Sequence, residues 1–120
     1  MSQTRVASSI NEAVQLLAEL ANPRLIAGGT DLVNRVPRLD GGPTIMARQT
    51  DWVDISSITG DDADVTIFDD VIRIGALATY NTILGSALVR EHLPSMIACS
   101  IGVGSLQIQA RGTLGGNLAN

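Results

Sequence analysis

The chain has 120 residues, of which 45% are hydrophobic and 17% charged, a composition that predicts one folded domain or lobe and excludes a disordered tail. Aromatic residues make up 2%, which argues against a nucleic-acid binder that stacks bases on aromatic rings. The formal net charge of −4 has the wrong sign for attraction to a polyphosphate backbone or an anionic membrane surface.

The N-terminus lacks a continuous apolar segment of the secretory type, and no apolar stretch approaches the length needed to cross a bilayer. Cys99 is the single cysteine, so an intramolecular disulfide is impossible and a reducing compartment fits best. Its apolar surroundings, MIACSIG, predict a buried thiol that packs as a small hydrophobic group. These observations predict a soluble cytoplasmic protein.

The first predicted element is a helix over about 9–21. Ser9 and Glu12 have the spacing of a capping box, apolar residues follow at helical period, and Asn22-Pro23 ends the pattern. The sequence RLIA at 24–27 then predicts a short buried strand, which ends in a tight turn at Gly28-Gly29. A short helix over 31–36, with Thr30 or Asp31 as its N-cap, is expected next.

The middle of the chain is predicted to be rich in β-structure. Strand-like segments occupy 44–48 and 52–55, and the β-branched runs of 64–76 flank Asp69-Asp70 in the manner of a hairpin. Two adjacent aspartates resemble an acid–base pair, but adjacent side chains in a turn point in different directions. A solvated turn is therefore the preferred interpretation.

The last part of the chain is predicted to be helical and then irregular. Thr79 precedes a helix over 80–92, Pro94 begins a second helix through about Cys99, and the glycine-rich stretch 103–120 is expected to be a closing loop. The predicted order is α-β-α-β-β-β-α-α, which indicates a mixed α+β fold.

Two segments, AGGTDL at 27–32 and GTLGGNL at 112–118, combine a glycine pair with hydroxyl and amide side chains. Glycine adopts positive φ and lets a ligand approach the backbone, so consecutive N–H groups are able to converge on a diphosphate. Each segment, taken alone, is also interpretable as a plain tight turn between a strand and a helix. Neither has the spacing of a Rossmann or P-loop motif, which disfavours a nicotinamide or ATP site of those types.

Three stretches taken together resemble a known family. AGGTDLVNRV, IRIGALATYNTI and GSLQIQARGTLGGNLAN, in this order, are similar to the N-terminal portion of the FAD-binding (medium) subunit or domain of molybdenum hydroxylases, which include xanthine dehydrogenase and carbon monoxide dehydrogenase. The resemblance covers nearly the whole chain. It implies an α+β, two-lobed FAD-binding fold of the vanillyl-alcohol-oxidase type, with 1–55 as a first small lobe and 56–120 as the start of the second.

The resemblance also implies which residues contact FAD, and it implies no catalytic residue and no metal ligand. The implied contacts are Leu25, Ile26, Ala27, Gly28, Gly29, Thr30, Asp31 and Leu32 in the first stretch, and Val103, Gly104, Thr113, Gly115, Gly116 and Asn117 later in the chain. One departure stands out, because Gln109-Ala110 occupy a place where many members have an Arg-Asn pair. The contacts of that pair are left open.

By resemblance, the chain is a component of an oxidoreductase that carries electrons. A large subunit with the molybdenum cofactor oxidises the substrate, 2Fe–2S clusters on a small subunit relay electrons, and FAD passes them to NAD or another acceptor. Family members continue beyond the second glycine motif, so a fragment is expected. The alternatives are a truncated non-enzymatic fragment or interaction module without flavin, and a two-lobed FAD oxidase that works without molybdenum.

Overall fold

The computed structural model describes residues 3–32 and 50–120, which fold as a mixed α/β chain in two compact units, Met1–Ile58 and Thr59–Asn120. The helix predicted over 31–36 falls largely outside the described residues, and the strand predicted over 44–48 falls wholly outside them.

The first unit contains a three-stranded parallel sheet. Its strands are β1 (Thr4–Val6), β2 (Pro23–Ile26) and β3 (Asp51–Asp54), and β3 lies in the centre. Val6 and Ile26 both pair with Asp54, so all three strands end at the same edge of the sheet. Strand β2 overlaps the strand predicted over 24–27 in its first three residues. Leu25 is 45% exposed, so the predicted burial of this strand is wrong.

Helix α1 (Ile10–Glu19) connects β1 to β2 and begins as the sequence predicts. The Glu12 N–H donates to the Ser9 hydroxyl at 3.2 Å. The Glu12 carboxylate accepts from the hydroxyl and the N–H of Ser8, both at 2.7 Å, instead of from Ser9. These bonds, the side-chain bond first, lower the pKa of Glu12 from its ordinary value of 4.5. The helix buries Ala13 and Leu16 in one cluster with Ala7 and Val53.

The second unit opens with an antiparallel hairpin of β4 (Val65–Phe68) and β5 (Val71–Ile74). Asp69 and Asp70 connect the strands with φ values of 46° and 60°. Two consecutive left-handed residues are the mark of a type I′ turn, whose twist matches that of the strands. Both aspartates are exposed, so the hairpin and its solvated turn are confirmed.

Helices fill the remainder of this unit. They are α2 (Tyr80–Gly85), α3 (Ala87–His92), α4 (Pro94–Ile101), α5 (Leu106–Arg111) and α6 (Leu114–Leu118). The single helix predicted over 80–92 is divided because Ser86 is extended, with ψ of 121°, and its hydroxyl caps α3. Their core consists of Ala78, Tyr80, Ile83 and Val89.

Two expectations for this part of the chain are wrong. The stretch 103–120 is not a closing loop, because Ser105 and Thr113 each cap a short helix through a side-chain oxygen. Cys99 is exposed on α4, whereas Ser100 is the buried residue of that helix. Across residues 3–32 and 50–120, no helix combines the length and hydropathy that a bilayer span requires.

Candidate functional site

The first glycine segment, residues 27–32, follows β2 at the carboxyl end of that strand, and the last two strand residues, Leu25 and Ile26, complete the stretch with implied FAD contacts. The Ile55 N–H donates to the Ile26 carbonyl at 2.9 Å, which is the last strand-type bond before the chain turns away. Gly29 has φ of 68°, in the left-handed region that favours glycine. In extended backbone, successive N–H groups point in alternate directions. A left-handed residue interrupts this alternation, so that neighbouring N–H groups are able to face the same side, as in anion-binding loops.

Exposure differs along this segment. The residues from Ala27 to Thr30 are half-buried, Asp31 is exposed and Leu32 is half-buried. In parallel α/β sheets, ligands bind beyond the carboxyl ends of the strands, which is where this segment lies. Its position and its glycine conformation both favour a binding loop over a plain connection.

The second glycine segment, residues 112–118, contains the N-cap Thr113 and the whole of helix α6. Thr113 is only 7% exposed, and its hydroxyl accepts from the Gly116 N–H at 3.1 Å. The prediction of a tight turn after a strand is wrong here, because helix α5 precedes the segment and Gly115-Gly116 lie within α6. Neither of these two glycines is among the residues with positive φ.

The backbone N–H groups of residues 114–117 already have acceptors within the second unit. Leu114 donates to the Ala78 carbonyl at 3.0 Å, Gly115 to the Ala76 carbonyl at 2.7 Å and Asn117 to the Thr113 carbonyl at 3.1 Å. The Gly116 N–H is held by Thr113. The expectation that these N–H groups converge on an anion is therefore wrong. The exposed Asn117 side chain is the polar group that this segment offers to a ligand.

Close packing explains the glycine at 115. A Cβ at Gly115 would lie 2.7 Å from the Ala76 carbonyl oxygen and 2.8 Å from the Ala76 Cβ. Thr79 and Thr113 form an antiparallel bridge beside this contact, so the small residues Ala76 and Ala78 run directly against the start of α6. Sequence reasoning missed this role of the Ala76–Thr79 run, because the residues that it contacts lie far away in the sequence.

Val103 and Gly104 lie in the turn that joins α4 to α5. The Val103 N–H donates to the Ser100 carbonyl at 3.2 Å, and Gly104 has φ of 52°. A Cβ on Gly104 would lie 2.9 Å from Cδ1 of Ile108, so the side chain of Ile108 closes over this turn.

Gln109, noted in the sequence only as a departure from the family pattern, is 6% exposed. Its Nε2 donates to the Ile101 carbonyl at 3.1 Å, across the same turn. At the first of the two positions that depart from the family pattern, the side chain therefore forms a hydrogen bond to the last residue of α4.

Comparison with known proteins identifies the family. Residues 2–120 match the family described as the FAD binding domain in molybdopterin dehydrogenase. This match includes both glycine segments and the Val103–Gly104 turn. The chain belongs to this family of FAD-binding domains.

Individual relatives agree with that assignment. The chain is 32% identical to the nicotine 6-hydroxylase medium subunit of Paenarthrobacter nicotinovorans over 94% of its own length and 38% of the relative's. It is 27% identical to the xanthine dehydrogenase FAD-binding subunit of Escherichia coli O157:H7, covering 95% of this chain and 37% of that one. Carbon monoxide dehydrogenase from Hydrogenophaga pseudoflava superimposes with a TM-score of 0.82 at 26% identity, over 98% of this chain and 39% of that chain. The chain thus spans less than two-fifths of these relatives.

Proposed function

We propose that this chain binds FAD as the FAD-binding portion of a molybdenum hydroxylase, within a two-lobed fold of the vanillyl-alcohol-oxidase type. The observation that carries the proposal is the family match over residues 2–120, which covers every residue for which FAD contacts were predicted. The relatives named as medium and FAD-binding subunits support the same conclusion.

The residues of the two glycine segments fit a dinucleotide, although in different ways. In the first, the left-handed Gly29 supports a backbone that lies along the diphosphate from Leu25 to Leu32. In the second, the exposed Asn117 supplies an amide group, and the exposed Gly116 leaves no side chain in the way of a ligand. Val103 and Gly104 are proposed to lie close to the cofactor.

When bound, FAD supplies the ability to accept and release electrons singly or in pairs. The chain's own task is to bind and orient the cofactor, and no side chain is assigned a proton transfer. The proposed partners are a large subunit with the molybdenum cofactor and a small subunit with 2Fe–2S clusters. Electrons are proposed to leave the flavin to NAD or another acceptor.

FAD binding is tested by titrating the purified chain with FAD and measuring co-elution of flavin absorbance with the protein on gel filtration. Gly29→Ala is the informative variant, because a Cβ disfavours the left-handed backbone of the proposed diphosphate loop. Gly60→Ala is its matched control, since Gly60 also has positive φ, of 85°, with nothing within 4 Å of an added Cβ. We expect Gly29→Ala to weaken retention by at least about tenfold, the equivalent of about 1.4 kcal/mol, and Gly60→Ala to retain FAD as wild type does.

Two outcomes contradict the proposal. A wild-type chain that folds and retains no flavin would favour the alternative of a fragment or interaction module without FAD. Equal retention by Gly29→Ala and wild type would remove the first glycine segment from the site. The partner subunits are tested separately, by co-expression with the large and small subunits of a molybdenum hydroxylase and co-purification through a tag on this chain.

A further inference from the structure

The turn between α4 and α5 is held from one side by two consecutive residues of α5. Ile108 packs its side chain over Gly104, and Gln109 reaches back eight residues to the carbonyl of Ile101. The last carbonyls of a helix have no partner within the helix, and the Gln109 side chain donates to one of them, the carbonyl of Ile101.

Gln109 is suited to this contact by burial as well as by distance. It is one of the few buried polar residues of the described part of the chain, and the only buried residue of α5. Gln107, two residues earlier on the same helix, is exposed. A buried amide that lost its partner would incur the full cost of desolvation, so the bond fixes the separation of α5 from the end of α4.

We infer that Gln109 is a positioning residue for cofactor binding, which acts by holding the Ile101–Gly104 backbone in the conformation that presents Val103 and Gly104 to the ligand. This inference rests on the proposed FAD function. Gln109 itself is not assigned a contact with FAD. Its action passes through the Ile101 carbonyl to the Val103 N–H, which is bonded to Ser100 one residue before Ile101.

The first test needs no cofactor. Amide hydrogen exchange of Val103, followed by NMR at one pH, is compared in wild type, Gln109→Ala and Gln107→Ala. We expect Gln109→Ala to accelerate exchange at Val103 by at least about fivefold, the effect of one lost hydrogen bond, and Gln107→Ala to leave it unchanged. Equal exchange in the two variants would overturn the positioning role.

The second test links the turn to the cofactor through Gln109→Glu. When protonated, the introduced carboxyl group still donates to the Ile101 carbonyl, whereas the carboxylate form repels that carbonyl. Burial raises the pKa of the introduced carboxyl group. FAD affinity of Gln109→Glu is expected to approach wild type near about pH 5 and to fall at least about fivefold near about pH 8, with no such change in Gln107→Glu.

The outcomes of the two tests separate the inference from the proposed function. If wild type binds no FAD, the proposed function fails, while the exchange measurement still reports on the turn. If wild type binds FAD and Gln109→Glu follows Gln107→Glu at both pH values, the cofactor role of Gln109 is refuted. Urea unfolding of each variant identifies any that has simply lost its fold.

Discussion

Gly115 allows α6 to lie close against the Ala76–Thr79 run, because a Cβ at this position would lie 2.7 Å from the Ala76 carbonyl oxygen. Gly115→Ala is expected to displace this run, to weaken the Gly115–Ala76 hydrogen bond and to lower the free energy of unfolding by about 1–3 kcal/mol. Urea unfolding measures the change.

Gly85→Ala is the control for this prediction. Gly85 ends α2, and an added Cβ there meets nothing within 4 Å. This substitution is expected to leave the free energy of unfolding unchanged or to raise it by about 0.4–1 kcal/mol, because alanine restricts the unfolded chain. Equal losses at both positions would show that close packing is not the reason for glycine at 115.

Glu12 contributes to stability in a pH-dependent manner. Its two bonds from Ser8 hold the folded-state pKa below the ordinary value of 4.5. Because the pKa is lower in the folded state, Glu12 makes its full contribution to stability when the pH is above the ordinary pKa. This contribution is lost as the pH falls through the folded-state pKa. Glu12→Gln should therefore flatten the decline of unfolding free energy between about pH 6 and about pH 3, measured by urea titration.

Glu19→Gln is the matched control, since Glu19 lies at the other end of α1 from Ser8. It removes the same charge without touching the Ser8 bonds. The pH-dependent contribution of Glu12 would be contradicted if the unfolding free energy of Glu12→Gln ran parallel to that of wild type over the whole pH range.

At the scale of elements, the hairpin depends on a turn in which two aspartates adopt a conformation that L-residues disfavour, with φ of 46° and 60°. Asp70→Gly is expected to raise the free energy of unfolding by about 1 kcal/mol, because glycine enters the left-handed region without a Cβ penalty. Asp70→Val, which is β-branched, is expected to lower it. Urea unfolding that moves in the same direction for both variants would contradict the type I′ turn.

Local signals explain which elements were predictable. The Ser9 cap of α1 and the Asp69-Asp70 turn follow from residues within four positions of one another, and both are confirmed. Helix α6 was missed because glycine has poor helix propensity, and here carbonyls of Ala76 and Ala78, far away in sequence, hold its first N–H groups. Tertiary partners of that kind leave no trace in the local pattern.

At the scale of the whole molecule, the candidate site also has features that the local sequence predicts and features that only the fold determines. Gly29 adopts the left-handed conformation that a glycine pair suggests, whereas the glycine at 115 is accounted for by packing within the chain. Leu25 was expected to be buried because its sequence is apolar, yet the folded chain leaves it 45% exposed, which depends on what covers its face of the sheet. The resemblance drew attention to Gln109 without revealing its partner, which only the fold brings near.

The central position of β3 has a consequence for how the chain folds. Trp52 pairs with Thr4 and with Arg24, so neither outer strand has its sheet partner until a loop of tens of residues has closed. The hairpin of the second unit, by contrast, joins residues a few positions apart. Contacts of long sequence separation form slowly, so the parallel sheet is expected to be the rate-limiting structure and the hairpin an early one.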